Sequence, residues 1–475
     1  MLLFYICLLF FVVLLMPNTH ENFDPFLNIS FSIIFLILIL SYFLKRRRYI
    51  KNWLRFDLVF LIGYFIVHFQ SSLLYSIGLD DQVIPHPWVN IEVVNYATWL
   101  SLLAIIFWFM GTTLVSEKKY YLLSKVERNN VFVDRISPMI DKVIVVSFAL
   151  FIVVAGSALF SGIYDGGRSW GAGAGYFYLL LTFSIYLRTI YFVLSLEKKT
   201  SIKHAIKSLT TNKIYVASLL FFVLMFLSVG DRGPVISVVL LFFTLYGVYV
   251  KPFSFKTVVV SMVIAALLMT ILGLGRTRIA ENIGSQGIIE RGYTALISSD
   301  EIIIPSAELA GSNKILFAAL DNVPTRYPYL YGKSFVINFS SALPIPGVTQ
   351  LFTDLLEIPK YQTTTTHYFT YILIGTNPTW GAGSEVVADV YVNFGVFGIP
   401  VVFFLFGLVC ARYSFATEHF GKHVKVSFII VYAGLVVNAL SINRGMLLYP
   451  LMPIFYMLTL YWLLRITQSG LRKFK

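Results

Sequence analysis

The chain has 475 residues, of which 57% are apolar, 17% aromatic and only 13% charged, and its mean hydropathy is +0.77. This balance excludes a soluble domain and fits an all-α polytopic membrane protein. The net charge of +13 is spread as a topology signal and not as a nucleic-acid patch, and Cys7 and Cys410, both within apolar runs, offer neither a disulfide framework nor a thiolate metal site.

Residues 1–16 read as a first span, because Pro17-Asn18-Thr19-His20 supplies no small-residue cleavage site for a signal peptide. A second span over 27–44 ends in Lys45-Arg46-Arg47-Arg48-Tyr49-Ile50-Lys51, which the positive-inside rule places in the cytoplasm. Later apolar runs at 56–79, 91–115, 143–163, 176–196, 215–228, 235–250, 257–275, 385–410, 426–442 and 446–464 alternate from that anchor. The expectation is about 12 transmembrane helices with both termini cytoplasmic. By this assignment about 26 of the 37 Lys and Arg residues are internal. Three parts follow: a helical region 1–275, a long external segment 276–384 with short helices, and a closing helical region 385–475. A stretch of about 110 residues is too long for a bare connection and is expected to fold against the membrane.

Two apolar runs, 215–228 and 235–250, flank the polar knot Val229-Gly230-Asp231-Arg232-Gly233-Pro234. Runs of about 15 residues reach only some 22–24 Å, against a hydrocarbon core of roughly 30 Å, so a charge pair there is a functional candidate. The plainer alternative is a tight hairpin in which Asp231 neutralises Arg232. The short external loops carry only Arg168, Arg232 and Arg444, each with a glycine within two positions. Retained arginines beside closely approachable backbone point to ligand contacts. Arg276 and Arg278 stand where the ninth span emerges, and Arg291 follows. Arg188, inside the sixth span, reads as a structural pair or a snorkelling contact.

Glu385, Asp389 and Asn393 fall at i, i+4 and i+8, a polar stripe expected to line a cavity at the membrane mouth. For Glu385 alone, helix capping beside Ser384 is an equally good reading. His367, in Gln362-Thr363-Thr364-Thr365-Thr366-His367, is the external histidine in the most polar context. Trp380 and Tyr391 are candidates for sugar stacking, with an interface anchor the plainer role for Trp380. A helix is expected over 306–319, and Pro344-Ile345-Pro346-Gly347 is a rigid break. The sequence holds no serine-hydrolase elbow, no HExxH pair and no Gly-rich phosphate loop. Several arginines with one or two carboxylates and no metal box suit a diphosphate held without a cation or cofactor.

Gly230-Asp231-Arg232-Gly233-Pro234, then Tyr331-Gly332-Lys333-Ser334 with Leu343-Pro344-Ile345-Pro346, then Ala388-Asp389-Val390-Tyr391-Val392-Asn393-Phe394-Gly395 together resemble the Wzy-type O-antigen polymerases. The resemblance covers the second half of the chain and the span count, and Asp389 stands where the family often has Glu. It implies a GT-C-like glycosyltransferase in the cytoplasmic (inner) membrane. Such an enzyme joins oligosaccharide repeat units linked to undecaprenyl diphosphate, with membrane lipids as surroundings and room for a chain-length regulator as a partner. Under it, Arg232, Arg444, Arg276, Arg278, Arg291 and Arg168 would bind diphosphate or glycan. Asp389, Glu385 and His367, in that order, would be candidate bases. An O-antigen ligase, and a flippase or other transporter, are the competing classes.

Overall fold

The computed structural model describes residues 2–79, 90–123, 136–156, 170–229, 231–277, 288–297, 304–420 and 424–473. Helices α1 (Leu2–Leu14), α2 (Pro25–Arg46), α3 (Phe56–His68), α4 (Gln70–Ser76), α5 (Val94–Thr113), α6 (Glu117–Leu123), α7 (Ser137–Ala155) and α8 (Ala174–Ser195) come first. They are followed by α9 (Ile202–Leu209), α10 (Lys213–Val229), α11 (Gly233–Tyr249), α12 (Phe255–Thr277) and α13 (Ile288–Ile297). Short helices α14 (Ala307–Ala310), α15 (Lys314–Asn322), α16 (Lys333–Ala342), α17 (Val348–Leu355) and α18 (Thr365–Ile374) precede the long closing helices α19 (Val386–Phe420), α20 (Val426–Val437) and α21 (Leu451–Lys473). No strand occurs among the described residues.

Five of these helices are long and apolar enough to cross a membrane, or up to seven if each bent pair counts as one span, and four more are shorter apolar helices. The sequence leads to an expectation of about twelve crossings; the described helices that meet the length and apolarity needed to cross number five to seven. α3 and α4 meet at 47°, and the α9–α10 pair bends by 103°. The hairpin expected around residue 231 is present: α10 and α11 have 17 residues each, about 25 Å of helix. Helix 306–319 is split into α14 and α15 by a 3-10 turn at Gly311–Asn313.

Local sequence explains several ends. Asp24 accepts the N–H groups of Phe26 and Leu27, with Pro25 in the first turn, and so starts α2. Thr364 caps α18 through the His367 N–H. α19 is broken at Gly395, whose φ of 65° lies outside the helical range. Its first part, residues 386–393, is wholly buried, while the part beyond the break runs to the opposite end of the bundle. There α19 packs on α5 at backbone distance. A Cβ on Gly111 would strike the Phe404 carbonyl and one on Gly407 the Trp108 carbonyl, so these two positions need glycine for the helices to touch.

The chain directions define two ends. One carries the basic segment 45–51 and is closed by an ionic network. Arg55, almost fully buried, lies 2.7 Å from Asp57, 3.2 Å from Glu418 and 3.5 Å from Glu117. Arg46 and His419 also approach Glu117, at 3.6 and 3.0 Å. Tyr42 donates to Asp57 and Tyr432 to Glu418. Arg188 is a structural contact as expected, bonded to Asp141 at 2.8 Å and Asn212 at 2.9 Å.

Candidate functional site

The opposite end gathers charge. Arg232 is the N-cap residue of α11, with Pro234 in the first turn behind it. Its guanidinium donates to the Met269 carbonyl on α12 and to the Glu308 carboxylate on α14. Gly273 makes room on α12, since a Cβ there would sit 2.9 Å from Arg232 Nη1. Arg444 reaches the other oxygen of Glu308, with Nη1 3.9 Å from Oε1. Two arginines distant in sequence thus converge on one carboxylate. The side chains of Glu308 and Arg444 are 49% and 44% exposed, and that of Arg232 is 18% exposed. Glu308 pairs with Arg232, and Asp231 Oδ1 accepts the Gly233 N–H at 3.1 Å.

The supports of each group are identifiable. Glu308 is held because Ser306 donates to Gln70 at 2.7 Å and Asn313 donates to the His68 carbonyl at 3.5 Å, pinning α14 to the α3–α4 bend. Arg444 ends the 3-10 turn Ser441–Arg444. Its neighbour Asn443 donates to the Phe60 carbonyl at 3.2 Å, and Leu447 donates its N–H to Asp389 Oδ2 at 2.9 Å.

Asp389 is therefore part of a buried layer behind the arginines. Its other oxygen accepts from Thr365 at 2.7 Å, and Thr365 also meets Ser384 at 2.9 Å. Glu385 turns back on its own helix and accepts from the N–H groups of Val387 and Ala388 at 2.7 and 2.8 Å, the capping alternative for this residue. His68 Nε2 lies 3.2 Å from Glu385 Oε1, but poorly aligned, and neither ring nitrogen makes a hydrogen bond. Asn393 pairs with Ser334. The i, i+4, i+8 stripe is real, but all three side chains are buried; it faces packed protein where an open cavity was expected.

His367 is exposed on α18, with Nδ1 2.9 Å from Thr363 Oγ1. Desolvation and then the Lys360 charge hold its imidazole below the ordinary histidine range, favouring the neutral ring. Tyr391 is buried with its hydroxyl on the Val323 carbonyl, whereas Trp380 is exposed under the Lys314 ammonium at 5.2 Å. Arg276 lies on α12 and Arg291 on α13, their side chains outside the described residues; Arg168, Arg278 and Gly230 also lie outside the described residues. Among the described residues no group of three or more His, Cys, Asp or Glu could hold a metal ion.

A planar guanidinium fork matches the oxygens of carboxylate and phosphate alike, so the place Glu308 takes between Arg232 and Arg444 is one a phosphate group fits. The family model of the O-antigen polysaccharide polymerase Wzy matches residues 1–471. The chain belongs to the Wzy family of O-antigen polysaccharide polymerases. No curated protein and no solved structure matches it. For this Wzy-family membrane protein, Glu308, His68, Thr365 and Asn443 are the residues that sequence reasoning missed. Glu308 had one available signal: it is a lone carboxylate near the start of a segment already expected to be helical.

Proposed function

We propose that the chain polymerises oligosaccharide repeat units linked to undecaprenyl diphosphate, on the outer face of the cytoplasmic membrane, by metal-independent glycosyl transfer. The observation that carries this reading is the convergence of Arg232 and Arg444 on a half-exposed carboxylate at the end of the bundle opposite the basic segment. By the positive-inside rule that end is the external one.

In this reading the lipid diphosphate displaces Glu308 from the two guanidinium groups. A hydroxyl of the acceptor sugar attacks the anomeric carbon of the growing glycan. The new glycosidic C–O bond forms as the bond to the diphosphate breaks, and the diphosphate leaves with the bonding pair. Preorganised guanidinium groups then stabilise the charge that a metal would otherwise meet. The hydroxyl proton passes to His367, which is exposed and biased towards its neutral form. Asp389 and Glu385 act by position: Asp389 ties the Arg444 segment to α18 and α19, and Glu385 fixes the start of α19.

The test is the surface polysaccharide profile, by gel, of a deletion strain carrying the wild-type gene or Arg232→Ala. The deletion is expected to leave a single repeat unit on its acceptor, with the ladder restored only by wild type. A ladder restored equally by Arg232→Ala would remove this site from the reaction. Loss of every unit with free polymer, or with lipid-linked repeats trapped inside, would mark a ligase or a flippase instead.

A pH prediction follows from His367. Because its pKa is lowered, the neutral ring persists at neutral pH, and turnover is expected to fall only on acidification below the ordinary histidine range. Lys360→Gln removes the second cause of the lowering, so the acid limb of the rate profile should move to higher pH. An acid limb that stays in place in this variant would take the histidine out of proton transfer.

A further inference from the structure

We infer that α17 lies on the outer membrane surface as an interfacial helix, its apolar face inserted among lipids. Val348, Leu351, Phe352 and Leu355 follow the i, i+3, i+4, i+7 pattern of one helical face, and no residue of the helix is buried. Leu351 and Leu355 are 63% and 71% exposed, and Ile345 and Leu356 extend the same apolar surface beyond both helix ends. The other face is polar, with Gln350 donating to Asp354 at 2.6 Å. An apolar patch of this kind, rimmed by polar groups, marks an interaction surface.

Continuity decides what covers it. α17 packs on α16, and α16 packs on α21, where the Phe339 and Phe455 rings lie 5.7 Å apart. Phe455 is four residues into α21, about 6 Å along its axis. α16 is thereby placed beside the first turns of α21, whose residues lie in the apolar run 446–464 expected to cross the membrane. Val336 and Phe339 on α16 are themselves exposed, so the apolar surface runs from α17 across α16 to the first turns of α21. The rigid segment Pro344-Ile345-Pro346-Gly347 sets the angle between the two short helices. α17 carries no Lys or Arg, so its attachment is apolar insertion and does not require anionic lipid. This inference concerns the membrane surface and is independent of the reaction proposed above.

The experiment uses the full chain with Cys7→Ala, since Cys410 is buried and will not react with a polar probe. Leu351→Cys, Leu355→Cys and Gln350→Cys are each labelled with an environment-sensitive fluorophore and reconstituted in phosphatidylethanolamine and phosphatidylglycerol vesicles. At 351 and 355 the emission should be blue-shifted, quenched by lipids brominated high on the acyl chain, and several-fold less sensitive to iodide than at 350. The same result is expected in vesicles without phosphatidylglycerol. Equal iodide quenching at all three positions would place the helix in water and overturn the inference. Protection from both quenchers, with disulfide cross-linking between copies at 351 or 355, would overturn it in favour of a protein partner. The two independent apolar positions keep the test decisive if one variant fails to reach the membrane.

Discussion

Replacing Arg232 by Lys is expected to abolish the polymer ladder while the protein still accumulates in the membrane. Arg232 uses separate nitrogens for the Met269 carbonyl and the Glu308 carboxylate. A lysine ammonium keeps the charge but lacks the planar fork, so one of the two directed contacts is lost. A charge-assisted hydrogen bond is worth about 1.5–3 kcal/mol, which corresponds to roughly 10- to 150-fold in rate when it acts on the leaving diphosphate. Glu308→Gln separates binding from chemistry. It keeps the shape of the side chain and removes the charge that competes for both arginines, so KM for lipid-linked repeat units should fall with kcat little changed. Near-normal polymer length in Arg232→Lys would sink the diphosphate site. A drop in kcat at unchanged KM in Glu308→Gln would instead give Glu308 a part in the chemical step.

Asp389→Asn should lower thermal stability and polymerisation together. Asp389 accepts from Thr365 with one oxygen and from the Leu447 N–H with the other, and the side chain is fully buried. Asparagine retains one acceptor and turns an NH2 group towards a remaining donor, leaving a buried polar group unsatisfied at about 1–3 kcal/mol. Leu447 is three residues beyond Arg444, so loosening it also releases an arginine of the site. The checks are the melting temperature and the binding of lipid-linked substrate, measured beside turnover. Abolished turnover with both of these untouched would make Asp389 a proton acceptor and reverse the assignment.

Much of the helical organisation was legible because apolar runs bounded by charge are strong signals: α2, α5, α8 and the hairpin α10–α11 lie where the sequence placed them. Arg232 and Arg444 were legible for a related reason, since an arginine in a short external loop beside glycine breaks a compositional rule. Their common partner was not. Glu308 becomes meaningful only when the α3–α4 bend brings Gln70 and His68 to Ser306 and Asn313, a tertiary event with no local pattern. The spacing of Glu385, Asp389 and Asn393 correctly gave a shared helical face, because periodicity follows from 3.6 residues per turn. It could not say whether that face meets water or packed protein. The break at Gly395 separates this buried piece from the rest of α19, whereas the sequence read one unbroken span.

The ionic closure at the basic end also constrains the order in which the protein can be completed. Arg55 and Asp57 are made together and Glu117 soon afterwards, but Glu418 comes only when nearly the whole chain has been synthesised. Until α19 threads back to this end, Arg55 and Glu117 lack Glu418 and His419, and a buried charge missing a partner is unstable by about 3–5 kcal/mol. α19 supplies Glu418 and His419 to this closure and, at the far end, Asp389, which accepts the Leu447 N–H, so one helix ties the ionic end to the segment that carries Arg444.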